Sequence, residues 1–103
     1  MRRVECACSK LCNTKRDLRL YRRRTGQILR TMFERMGAAP STNRINCDFM
    51  REMIPHHMGA VEMAPNALRY DICPEVFPIL DAIIASQEKE IARMQSLIKC
   101  MGG

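Results

Sequence analysis

The chain has 103 residues, enough for one domain with one modest core. It contains 9 Met and no Trp, so that core must consist mainly of aliphatic side chains and thioethers. The net charge of +6 is uneven, because residues 1–35 carry 11 basic and 3 acidic side chains whereas residues 36–103 carry 6 and 8. This distribution predicts either a solvated basic helix face or a surface for an acidic partner. Apolar runs are far shorter than the roughly 20 residues that cross a bilayer, so we predict no transmembrane segment.

Residues 1–16 are predicted to form a basic tail that contains Cys6, Cys8 and Cys12. The three thiols lie near Lys and Arg side chains, which favour thiolates, but they lack the paired CxxC spacing of a zinc site. Two interpretations stay open: incidental thiols, or a speculative second site for a soft metal or for redox chemistry. No apolar stretch of signal-peptide length follows the opening Met-Arg-Arg, so we expect reduced thiols and a cytoplasmic protein.

A first amphipathic helix is predicted from an N-cap at Asp17 to a stop at Gly37, before Pro40. Its apolar stripe recurs at three- and four-residue steps, and most of its arginines fall elsewhere. The stripe consists of Leu18, Tyr21, Thr25, Ile28, Leu29, Met32 and Met36. Gly26 within the helix costs about 1 kcal/mol relative to Ala.

A second helix is predicted from near Asn46 to about Tyr70, with one broad apolar half. Pro55 lies inside it and lacks the N–H that would bond to the carbonyl of Arg51. We therefore predict that this central helix is kinked at Pro55, just before two adjacent histidines. Pro65 should repeat the effect near the far end.

A third helix is predicted from Pro74 to about Cys100. Its stripe is apolar except for Gln87, whose amide needs a hydrogen-bond partner if it is buried. Three helices with short connections predict an all-α fold, a three-helix up-down-up bundle over residues 17–103. The apolar faces of three helices do not readily enclose a core that contains polar groups. We therefore also expect two chains to pair into a homodimer.

The predicted helices bring soft donors into one region. The short turn between the second and third helices sets an antiparallel register in which His57 faces Gln87. Neighbouring histidines point about 100° apart, and Met53 is a surface neighbour of both His56 and His57. Met63 lies about two turns further on, in another layer. The region contains Met50, Met53, His57, Gln87, Glu90 and Met94, with His56 at its edge.

The donor types in this region favour a soft metal ion. Thioether and imidazole suit Cu(I) or Ag(I), whereas Mg²⁺ and Ca²⁺ prefer several oxygens. The alternative is that the methionines fill a core and the histidine is hydrogen-bonded within it. The sequence shows no nucleophilic triad, no phosphate loop and no Glu-x-x-His pair of a di-iron bundle, so we predict that the protein is not an enzyme.

Two segments, FMREMIPHHMGAVEMA and IIASQEKEIARM, resemble the DUF305 family, whose hallmarks are Met-Ile-Pro-His-His and a later Gln-x-x-Glu-Ile-x-x-Met. The resemblance covers about residues 45–98. It implies a ferritin-like helical arrangement and, as in some members, copper or silver binding that helps bacteria tolerate these metals. Asp48 matches an acid common before the first motif and is, like Met50, a weaker candidate ligand. The implied ligand set is Met53, His56, His57, Met63, Gln87, Glu90 and Met94.

These observations predict a non-enzymatic bacterial protein that binds copper, as Cu(I), or another soft transition-metal ion, for sequestration or tolerance. The alternative is a helical interaction module that binds a protein or nucleic acid through its basic first helix, with the His/Met cluster as structural core. Nucleic acid is the less favoured partner, because the basic residues have little aromatic interleaving for base stacking.

Overall fold

The computed structural model describes Cys8 and residues 12–103. Three α-helices follow one another: α1 is Lys15–Ala38, α2 is Ile45–Ala67 and α3 is Phe77–Cys100, with a 3₁₀ turn at Pro74–Val76 before α3. The described residues contain no strand. The predicted all-α three-helix bundle is therefore confirmed. Within the same residues, no helix has the length and hydrophobicity to cross a membrane.

Helix α1 begins earlier than the sequence pattern indicates. The Thr14 hydroxyl accepts a hydrogen bond from the Asp17 amide at 3.1 Å, so Thr14 is the N-cap and Asp17 lies in the first turn. The prediction of Asp17 as the cap is wrong, because the hydroxyl three residues earlier satisfies its amide. The helix also continues through Gly37 to Ala38, and Pro40 follows.

Helix α2 contains Pro55 and Pro65, as predicted. Each ring removes one amide donor from the helix, which leaves the carbonyls of Arg51 and Val61 without their usual intrahelical partners. The helical assignment is nevertheless continuous through both prolines, and Pro55 is buried. Pro55 therefore does not divide α2 into two helices.

Helix α2 lies between the other two helices. It contacts α1 and α3, whereas α1 and α3 do not contact each other in the part of the chain that the structure describes. Tyr21 meets Asn66, whereas Met32, later in α1, meets Gly59, earlier in α2, so α1 and α2 are antiparallel. His57 meets Glu90, whereas Arg51, earlier in α2, meets Gly103, so α2 and α3 are antiparallel as well. This gives the up-down-up order. The buried side chains come from α1 and α2 alone across the described residues: Ile28, Met32, Cys47, Met50, Pro55, Ala64 and Asn66.

Gly59 sets the close approach of α1 to α2. A Cβ atom at this position would lie only 2.6 Å from Sδ of Met32, which is itself buried. The missing side chain therefore lets the Met32 thioether lie directly against the backbone of α2. Sequence periodicity places Gly59 inside a helix but does not indicate that a neighbouring helix packs on it.

One buried amide ties the end of α2 to the start of α1. Asn66 is 3% exposed, and its Nδ2 donates to the Tyr21 carbonyl at 3.2 Å and to Oγ1 of Thr25 at 3.3 Å. Beside it, the rings of Tyr21 and Tyr70 meet edge to face with their centroids 6.1 Å apart. These directional contacts fix the register of α1 against α2.

A disulfide joins Cys8 to Cys73 in the connection between α2 and α3. The Asn13 amide donates to the Asp71 carbonyl at 2.8 Å, so two contacts hold the N-terminal segment to this connection. The expectation of reduced thiols is wrong for these two cysteines, because the chain brings their Cα atoms to 5.5 Å, within disulfide reach. Cys8 is therefore not a free thiol for the speculative second site, Cys12 is exposed, and Cys6 lies outside the described residues.

A first prediction compares Gly59→Ala with Gly26→Ala. Both changes gain the same helix propensity, about 1 kcal/mol. At Gly26 the new Cβ meets only Arg30 Nη1, at 3.5 Å, whereas at Gly59 it clashes with Met32. We expect Gly59→Ala to be less stable than Gly26→Ala by about 1–3 kcal/mol, the usual cost of overpacking. Urea denaturation measures the difference, and equal midpoints would contradict the close helix contact.

A second prediction concerns the disulfide. Replacing Cys8 and Cys73 by Ser should lower the free energy of unfolding by about 2–4 kcal/mol, because the unfolded chain loses a long loop constraint. Cys12→Ser is the matched control and should change little, since this thiol is exposed and free among the described residues. Thermal denaturation without reductant distinguishes the two, and equal midpoints would show that the disulfide does not support the fold.

Candidate metal centre

An open cleft lies between the N-terminal half of α2 and the C-terminal half of α3. Its volume is about 290 Å³. Its walls contain two thioethers, one imidazole, one carboxylate, one guanidinium and two apolar side chains. The cleft therefore combines ligand types suited to soft metal ions with apolar surface. The lining residues are Phe49, Met53, His57, Glu90, Arg93, Met94 and Leu97.

His57 is oriented by contacts at both of its ring nitrogens. Nδ1 lies 2.8 Å from the Met53 carbonyl, one turn earlier on α2, and Nε2 lies 2.6 Å from Oε2 of Glu90 on α3. A carbonyl oxygen only accepts, so Nδ1 is the donor to Met53. The backbone thus holds the ring while Nε2 remains at the cleft, where its partner is an exposed carboxylate. Because the backbone holds Nδ1, an ion would bind through Nε2 by displacing Glu90. A histidine whose other ring nitrogen donates to a carbonyl is typical of metal ligands.

The α2–α3 register differs from the predicted one by about one turn. The sequence register pairs His57 with Gln87, whereas the structure pairs His57 with Glu90. The 3₁₀ turn at Pro74–Val76 lengthens the connection before α3 begins, which shifts α3 relative to α2. Met94 consequently lines the same cleft as Met53 and His57.

The cleft brings together four of the predicted ligands: Met53, His57, Glu90 and Met94. Gln87 is half-buried, one turn before Glu90, and its side chain makes no hydrogen bond within the described chain. His56 is exposed, with its ring centroid 5.9 Å from that of His57, and it does not line the cleft. Met63 lies on α2 outside this cleft.

The weaker candidates have other surroundings. The Asp48 carboxylate accepts hydrogen bonds from the Thr42 amide at 2.9 and 3.0 Å and from the Thr42 hydroxyl at 2.7 Å. Asp48 therefore stabilises the connection between α1 and α2. Met50 is buried and lines a neighbouring cleft with Met101.

Sequence reasoning did not assign three of the lining residues to the site. Phe49 and Leu97 are apolar, although Phe49 is 59% exposed. Arg93 is exposed on α3 and borders the cleft near Glu90. A helical spacing of four links Phe49, Met53 and His57, which is the signal that could have identified this face.

The donor set determines which ions fit. Among the described residues, no three side chains of His, Cys, Asp or Glu type come together to hold a metal ion. The cleft instead offers thioethers with one imidazole, which fits a soft monovalent ion such as Cu(I) or Ag(I).

The structure is an all-α chain with a cleft between two helices that His and Met side chains help to line. A family model described as "Domain of unknown function (DUF305)" matches residues 22–101. The chain therefore belongs to the DUF305 family. A search of curated proteins finds no match to it.

Proposed function

We propose that this protein binds a soft metal ion, Cu(I) or Ag(I), in the cleft between α2 and α3 without catalysing a reaction. The observation that carries the proposal is the anchoring of His57, whose Nδ1 is held by the Met53 carbonyl while Nε2 faces a cleft that Met53 and Met94 line. Sequestration of the ion, and with it metal tolerance, is the role that this chemistry supports best.

The contacts of the cleft are consistent with a reversible site. His57 Nε2 bonds to Glu90, whose side chain is 53% exposed and can move away when an ion binds Nε2. The thioethers of Met53 and Met94 carry no charge and no proton, so they bind a soft ion without a competing protonation step. Phe49 and Leu97 give the cleft apolar walls beside the donors.

A second candidate function rests on the solvent face of α1. Its exposed arginines include a stripe at steps of three, four and seven residues, and the ion pair found on α1 in the described chain is Arg35 with Glu62, at 3.9 Å. Such a stripe suits an acidic partner. It consists of Arg16, Arg19, Arg23 and Arg30.

The third prediction tests the metal site. The titration uses a background in which Cys6, Cys12, Cys47 and Cys100 are Ser and the disulfide is intact, so that free thiols do not compete. We expect His57→Ala and Met94→Leu each to lower the Cu(I) affinity by at least about tenfold, since even outer-shell changes around metals cost that much. The measurement is an anaerobic competition against bathocuproine disulfonate with ascorbate present.

His56→Ala and Met63→Leu are the matched controls, since these side chains are of the same types but do not line the cleft. They should change the affinity little. Equal, weak affinity in all variants and in the background would contradict copper binding at the cleft. An equal loss from His56→Ala and His57→Ala would contradict the proposed ligand assignment.

The fourth prediction tests the arginine stripe. Replacing its four arginines by Gln should lower the salt concentration at which the protein elutes from a heparin column, because each cation contributes to counterion release. Absence of retention by the unchanged protein at low ionic strength would remove this candidate.

A further inference from the structure

A second group of soft donors lies near the same end of the α2–α3 pair. One cleft, about 540 Å³ in volume, has Cys47 and Met101 in its lining, and an adjoining cleft of about 460 Å³ has Met50 and Met101. The two linings share Ile45, Asn46 and Met101, so the clefts adjoin, and one cysteine and two methionines border them. The full linings are Asn43, Arg44, Ile45, Asn46, Cys47 and Met101 for the first, and Ile45, Asn46, Phe49, Met50 and Met101 for the second.

Two of these donors are neighbours on α2. Cys47 and Met50 are three residues apart, so their side chains leave the same face of the helix. Cys47 is 1% exposed and Met50 is 9% exposed, and the Cys47 thiol is free among the described residues. Neither donor takes part in the hydrogen-bonded contacts of His57.

The third donor is held in place by the C-terminal turn of α3. The Met101 amide donates to the Leu97 carbonyl at 2.9 Å, and the Met101 carbonyl accepts a hydrogen bond from the Arg44 guanidinium. Arg51 donates to the Gly103 carbonyl at 2.7 Å, which ties the next residues to α2 as well. The Met101 side chain is thereby kept beside the start of α2, although α3 has already ended.

From this arrangement we propose a second soft-metal site formed by Cys47, Met50 and Met101. A thiolate with two thioethers is a donor set for Cu(I) or Ag(I). Cys47 precedes His57 by ten residues, about 15 Å along the helix axis, so the two sites do not share an ion. The second site rests on the same soft-donor chemistry as the proposed function, but it shares no ligand with the site at His57. Phe49 lines both regions.

The test uses Ag(I), which needs no reductant and so leaves the disulfide intact. The parent for this titration carries Cys6→Ser, Cys12→Ser, Cys100→Ser and His57→Ala. These changes leave Cys47 as the only cysteine besides the disulfide pair Cys8 and Cys73, and they remove the imidazole of the first site. We expect calorimetry to find a single tight equivalent of Ag(I). Cys47→Ser should abolish it, and Met101→Leu should weaken it by at least about tenfold.

Met58→Leu is the matched control, because this thioether is on α2 but borders neither region, and it should leave binding unchanged. Retention of the tight equivalent in Cys47→Ser would overturn the proposal. So would an unchanged affinity in Met101→Leu, since binding would then rest on the thiol alone. If Cys47→Ser fails to fold, Met101→Leu decides the question, because Met101 is 39% exposed.

The same titration separates this inference from the proposed function. In protein with His57 restored, binding of a second equivalent of Ag(I) would support the proposed site in the cleft at His57. Its absence, with the Cys47-dependent equivalent still present, would contradict the proposed function and leave the second site standing.

Discussion

Helix α2 is the constraint on which the rest of the structure depends, because in the described chain it contacts both other helices and they do not contact each other. Its two interfaces differ in kind. Towards α1, Gly59 admits the Met32 thioether against the backbone, and Asn66 adds two hydrogen bonds. Towards α3, the interface has a polar link between His57 and Glu90, and α3 has no buried residue among those described. The first interface therefore includes buried side chains of both of its helices, and the second does not.

Soft side chains border the open space beside α2 and α3. Met53 and Met94 line one cleft there, and Met50 and Met101 line another. A further cleft lies between the start of α1 and the end of α2, but no thioether, thiol or imidazole of the described residues lines it. Methionine tolerates such partly filled space because it is flexible and polarizable.

The existence of the three helices follows from the spacing of apolar residues, and the positions of Pro55 and Pro65 follow directly from the sequence. The residues Met53, His57, Glu90 and Met94 were also recognisable, because their types and helical spacing converge on one region. The pairing of His57 with Glu90 was not, since the length of the 3₁₀ turn at Pro74–Val76 fixes it. A shift of one helix by about one turn along its neighbour changes which side chains meet, although the apolar pattern of each helix stays the same.

Other features depend on contacts between distant residues and leave no local signal. The six cysteines allow many pairings, so the bond between Cys8 and Cys73 cannot be read from their spacing. The role of Gly59 depends on Met32, 27 positions earlier in the chain. The N-cap is different, because Thr14 and Asp17 do form a Thr-x-x-Asp pattern, and it was missed only because residues 1–16 were assigned to a tail.

Binding of Cu(I) by thioether and imidazole in the cleft between α2 and α3 is tested most directly by X-ray absorption at the copper edge, on protein with a single equivalent of Cu(I) bound. The free cysteines are replaced by Ser, so any sulfur ligand must then come from methionine. We expect both sulfur and imidazole nitrogen in the first coordination shell of copper, with the sulfur signal reduced in Met94→Leu. A shell of nitrogen and oxygen alone would contradict a thioether site between α2 and α3.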